Sequence, residues 1–122
     1  MVTVEARKPW NDTRIDVKTG ETLIFTVFPG QWHDAGISST AGGYNPPLGL
    51  RPWGWLLCNQ KGRWFELTGA VGRTITTAFA IGDGGRIRMP ATGRLYLFAN
   101  DVPLFYWNNH GALSVEIKQV SP

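Results

Sequence analysis

The chain reads as all-β: an antiparallel β-sandwich of the jelly-roll kind. Three observations predict this. About eight or nine short stretches rich in β-branched and aromatic residues recur at spacings near ten residues, the rhythm of strands joined by tight turns. Fifteen glycines and eight prolines supply the turns. The central region, residues 31–62, holds Gly42-Gly43, Pro46-Pro47, Gly49, Pro52 and Gly54, which leaves no room for a helix of ordinary length.

The elements follow in order. Val2 and Val4 alternate with Thr3 and Glu5, Pro9 and Asn11-Asp12 interrupt, and residues 14–17 resume the alternation. Lys18 to Glu21 form a turn. Residues 22–28, TLIFTVF, are a central strand with both faces partly buried, ended by Pro29-Gly30. The region 31–62 reads as a long excursion on a binding face, and long connections of this kind are commonly functional. It ends in Trp55-Leu56-Leu57-Cys58, and residues 59–62 turn into a strand over 63–67. Further strands are expected over 74–81, 86–89, 94–99 and 112–118. In the last, Leu113, Val115 and Ile117 face the core and Ser114, Glu116 and Lys118 face water.

A chain of 122 residues is one domain, spanning 1–122, with enough length for an ordinary core. Hydrophobic residues at 43% against 17% charged ones exclude disorder. The net charge is +3, yet only Arg7-Lys8 are adjacent basic residues and Arg86 and Arg88 share one side of a strand. That is a solvated mixed surface rather than the basic stripe with exposed aromatics that nucleic acid requires. A basic single-stranded nucleic-acid binder stays as an alternative through the tryptophans near Arg51 and Arg63. The lone Cys58 cannot form an intrachain disulfide and is expected as a buried thiol. No apolar leader opens the chain and no run is long enough to span a membrane, so cytoplasmic synthesis is expected, with export by a non-classical route left open. No nucleophile elbow, zinc-protease motif or phosphate-binding glycine loop is present, which speaks against an enzyme.

One stretch carries the chemistry: residues 100–111, NDVPLFYWNNHG, set between two strand-like runs. Pro103 cannot donate to a ladder, so the incoming strand ends near Asp101. Asp101, Asn108 and Asn109 place hard oxygens on a rigid base, and hard oxygens in groups of six to eight are what Ca²⁺ takes. The loop has a second reading, an Asx-rich turn that satisfies its own backbone.

The run 93–101, GRLYLFAND, with 108–117, NNHGALSVEI, resembles the end of the LecA-like bacterial lectins, which are calcium-dependent, galactose-binding β-sandwiches. Residues 19–25, TGETLIF, resemble an early strand of that family, and residues 31–36, QWHDAG, its tryptophan loop. The resemblance covers most of the chain and is weak over 38–62. It implies a galactose-binding-domain-like fold and a Ca²⁺ held by Asp101, Asn108 and Asn109 side chains, with backbone carbonyls of Phe105 and Ala35. It also implies a galactose-like glycan whose adjacent hydroxyls complete the ion's shell. Around the sugar it implies Asp101, Val102, Asn108 and His110, with the wall formed by Arg51 and Trp53. Arg51 falls where the family has a histidine, Gly54 where it has a glutamine, and His110 where it usually has serine. Trp53 and Trp107 are each either a stacking surface for a sugar or a core or rim residue. His33 and Asp34 read as a surface pair, with an approach of Asp34 to the ion as the alternative. The chain has one copy of the loop, so multivalency is expected to come from a homo-oligomer, a dimer or tetramer with a seam along 112–120. The alternative on the same fold is a structural or interaction module that binds no sugar.

Overall fold

The computed structural model describes residues 1–44, 57–59 and 62–120, with the backbone alone at 103–105. Among the described residues there are ten strands and two short 3₁₀ turns, and no α-helix. The strands are β1 (Val2–Glu5), β2 (Asn11–Val17), β3 (Thr22–Val27), β4 (Trp32–Asp34), β5 (Ile37–Ser39), β6 (Leu67–Val71), β7 (Phe79–Ala80), β8 (Gly84–Arg88), β9 (Gly93–Ala99) and β10 (Asn109–Val120). All ladders are antiparallel.

Two sheets form the sandwich. One runs β5-β4-β10-β3-β8 with β1 also paired to β10, and the other runs β2-β9-β6-β7. The 12-residue β10 organises the first: β3 and then β4 run along it, while β1 pairs with residues 112–115. Inward positions follow the period of two. Val4, Leu23, Phe25, Trp32, Leu113 and Val115 from the first sheet meet Val17, Leu67, Val71, Leu95, Leu97 and Ala99 from the second. The second sheet is covered on its other face as well, where Phe98 and Ala70 pack with Cys58, Tyr106 and Trp10. Cys58 is thus the expected buried thiol, and burial pushes its pKa up.

Several expected elements differ, each for a local reason. The strand expected over 63–67 begins only at Leu67, because Phe65 sits at φ 61° and breaks the extended run. Its continuation through Gly69 carries weak β-formers. Gly69 leaves room for the Phe79 ring across the ladder, since a Cβ there would stand 2.5 Å from the ring's Cζ. The strand expected over 74–81 is instead a 3₁₀ turn, Ile75–Thr77, followed by Phe79–Ala80. The Thr77 hydroxyl accepts from the Val71 N–H at 2.8 Å and lies 2.6 Å from the Thr74 carbonyl. A hydroxyl that captures nearby backbone in this way competes with a ladder. Asn11-Asp12 do not break β2; the irregularity falls between Asp12 and Asp16, at Arg14 with φ 61°. The excursion over 31–62 begins as a hairpin, β4–β5, and residues 45–56 and 60–61 lie outside the described residues. β10 starts at Asn109, not at residue 112, because β4 pairs with its first three residues. β3 keeps both faces partly buried as expected, with Leu23 and Phe25 in the core, Thr22 and Ile24 half-buried on the other face, and Thr26 exposed.

Candidate metal and ligand site

The site forms where β9 ends, a 3₁₀ turn (Pro103–Asn108) crosses over, and β10 begins beside the β4–β5 hairpin. Pro103 opens the turn as the sequence requires. Tyr106 anchors it: the ring is buried and its hydroxyl donates to the Ala99 carbonyl at 2.5 Å. The next residue, Trp107, is 81% exposed.

Asn100 and Asp101 follow β9 and are both fully buried. Their roles diverge. The Asn100 carboxamide accepts from the Asn59 N–H at 2.8 Å and donates to the carbonyls of Asn59 and Arg63, each at 2.9 Å. It ties Asn59 and Arg63 to the end of β9. Asp101 instead faces the turn. Its Oδ1 accepts from the Val102 N–H at 2.7 Å and its Oδ2 from Nδ2 of Asn109 at 2.9 Å. Burial lifts its pKa to about 6; the hydrogen bond from Asn109 opposes this, the Asp34 charge adds to it, and the Val102 N–H opposes it again.

Asn109 spends both amide hydrogens on Asp101 and on the Ala6 carbonyl, the latter at 3.1 Å. Its Oδ1 is buried without a partner, and so is Oδ1 of Asn108. Buried acceptors are ordinarily paired, and each orphan calls for a physical account. The Asn108 carbonyl accepts from the Ala35 N–H at 3.1 Å, which ties the β4–β5 turn to the site. Ala35 lies in the left-handed region at φ 53°, a conformation that costs a non-glycine residue about 1–2 kcal/mol. Such outliers cluster at functional sites. Gly111, at φ +88°, lets β10 approach β4: a Cβ there would stand 3.1 Å from the Trp32 Cα.

The structure therefore brings together Asp101, Asn108, Asn109 and Ala35, with the Phe105 backbone on the intervening turn. Val102 is fully buried and packs with Leu57 and Trp64, so its side chain is a core element. His110 points outward and stacks on His33, with ring centroids 4.7 Å apart. Arg51 and Trp53 lie outside the described residues, as do Pro52 and Gly54.

Asp34 corrects the expectation of a surface pair. His33 is outward, but Asp34 is buried at 6% exposure, and its Oδ2 accepts a short hydrogen bond from the Tyr44 hydroxyl. Burial raises the Asp34 pKa against that hydrogen bond, and burial with the carboxylate partner pushes the Tyr44 phenol above its usual range. The signal was in the period of two: Trp32 must face the core, so Asp34 shares that face.

These donors suit a hard divalent cation. They are carboxylate and carbonyl oxygens with no thiolate or imidazole among them, the set Ca²⁺ prefers over the softer transition metals. Among the described residues no cationic side chain reaches ion-pair distance of Asp101 or Asp34.

No protein-family model matches the chain, and no curated protein does. Among solved structures it is similar to a chain described as the EclA N-terminal domain, a PllA-like lectin. The TM-score is 0.69 at 22% identity, over 97% of this chain and 93% of that one. That likeness extends to the whole sandwich and shows the fold. Among the described residues no helix is long and apolar enough to cross a membrane.

Proposed function

We propose that this protein is a calcium-dependent carbohydrate-binding protein, a lectin for galactose-like sugars. The observation that carries the reading is the pair of buried, unpartnered amide oxygens, Oδ1 of Asn108 and of Asn109, beside the buried carboxylate of Asp101. The resemblance of the loop to calcium-dependent lectins and the lectin fold of the structural neighbour support it.

In this reading Asp101, Asn108 and Asn109 hold the ion through side chains, and Ala35 and Phe105 through backbone carbonyls. Ca²⁺ when bound supplies positive charge that orients two adjacent sugar hydroxyls. The chain's own part is preorganisation. Tyr106 and Asn100 fix the two ends of the loop, Ala35 pins Asn108, and Asn109 is oriented by Asp101. Trp107, exposed beside Asn108, offers an apolar face to the sugar ring.

The test is calorimetry with a galactoside in calcium and in chelator, together with thermal melts. An ion that binds only the folded form stabilises it by about 2.7 kcal/mol at a hundredfold excess over its dissociation constant. Asp101→Asn is expected to remove most of that gain and the sugar binding with it. A melting temperature indifferent to calcium defeats the metal site. Calcium binding without glycan binding across an array leaves a structural module on the lectin fold.

A further inference from the structure

We infer that Asp34 is a second carboxylate of the cation site, with Tyr44 as the residue that positions it; the inference rests on the metal reading above. The ladder between β4 and β10 sets Asp34 directly opposite Asn109. Both residues are buried, at 6% and 4% exposure, on the face that carries Trp32 into the core. Oδ2 of Asp34 is taken by the Tyr44 hydroxyl, while among the described residues no hydrogen bond is made to Oδ1. The next residue, Ala35, is fixed by its bond to the Asn108 carbonyl.

The charges decide what belongs there. Two buried carboxylates and two bare amide oxygens belong to residues that the β4–β10 ladder and the turn before it bring together, and the described residues bring no positive charge to them. Like charges buried together without a counter-charge are strongly disfavoured. One carboxylate would leave a divalent ion with net positive charge, whereas two neutralise it. Tyr44 is placed to keep the second one aimed inward. It donates to one oxygen only, and its ring packs with Phe65, Trp64 and Val102. The rival account makes Asp34 a protonated hydrogen-bonding group of the core. A carboxamide has the shape and neutrality of that protonated form, so the two accounts part on Asp34→Asn.

The experiment measures Ca²⁺ by calorimetry and Tb³⁺ by sensitised luminescence on the wild-type protein, Asp34→Asn and Asp101→Asn. Asp34→Asn is expected to weaken Ca²⁺ binding about 10- to 100-fold. The loss for Tb³⁺ is expected to be about one and a half times as large on a logarithmic scale, since Coulomb energy scales with the ion's charge. That ratio reads charge, and a merely structural role would weaken both ions alike. Unchanged Ca²⁺ affinity in Asp34→Asn, or equal losses for the two ions, overturns the inference. If Asp101→Asn alone loses binding, the metal reading stands and the role of Asp34 falls. If the wild type binds neither ion, both fall. Asp34→Ser, read by the same ratio, serves where the carboxamide disturbs folding.

Discussion

Nδ2 of Asn109 donates to Oδ2 of Asp101 at 2.9 Å, and this contact dictates which way the carboxamide faces. The other partner of Nδ2 is the Ala6 carbonyl. A flipped amide would set its oxygen against a carboxylate and a carbonyl, all acceptors. Oδ1 is therefore obliged to point away, into a buried space where the described residues give it no donor. The bare acceptor on which the proposed cation site depends thus results from a hydrogen bond that involves no cation.

That geometry makes the metal-free protein pH-sensitive. The Asp101 pKa is about 6 folded against an ordinary 3.8, so the unfolded chain releases its proton first. Stability present below about pH 4 is lost as the pH rises to about 6, by about 3 kcal/mol for this group. Denaturant melts in chelator between those pH values are expected to show the decline. Asp101→Asn is expected to flatten it, and a parallel decline in that variant would mean that other groups govern the slope.

Asn100 is a different kind of residue from its neighbour. Asn100→Ala removes the side-chain acceptor of the Asn59 N–H and one of the two donors to each of the carbonyls of Asn59 and Arg63, which keep the N–H groups of Gly62 and Glu66, and is expected to cost about 1–3 kcal/mol. Chemical denaturation measures this. Calcium is expected to restore part of the loss, since ion binding to the folded form adds its own term.

Trp107→Ala should leave folding alone, because 81% of the residue is already in water. The expected change in stability is within about 0.5 kcal/mol. Sugar binding is expected to weaken by about 0.5–1.5 kcal/mol, the range of an aromatic stacking contact. Emission from Trp107 is expected to shift to the blue when a galactoside is added in calcium, and a static spectrum would remove it from the ligand face.

The assembly prediction is narrowed by the strand order. β1 pairs with β10 only as far as Val115, so residues 116–120 pair with β3 alone among the strands described. An unpaired strand edge is a template for a second chain. Light scattering at micromolar concentration is expected to give a dimer or tetramer, and Ile117→Pro to reduce it toward monomer. A wild-type monomer in calcium would defeat the prediction.

Much of the fold was legible because it rests on local rules. The alternation in 93–99 and 113–117, the Gly and Pro punctuation, and the stop imposed by Pro103 each follow from backbone chemistry within a few residues. The strand over 67–71 was not legible. It contains Gly69 and Ala70, poor β-formers by propensity, and it is extended because β9 and β7 flank it. The stretch 74–77 misled in the opposite direction, since β-branched residues there serve a turn closed by the Thr77 hydroxyl.

The sequence by itself determined an all-β sandwich and singled out Asp101, Asn108 and Asn109 by the chemistry of their oxygens. Only the tertiary structure decided what those oxygens do. It turned Asn100 to bracing, left Oδ1 of Asn108 and Asn109 bare, and set Asp34 directly opposite Asn109. The reason is physical. Oxygen type is a property of one residue, but burial, partnership and charge balance belong to what the ladder between β4 and β10 sets side by side.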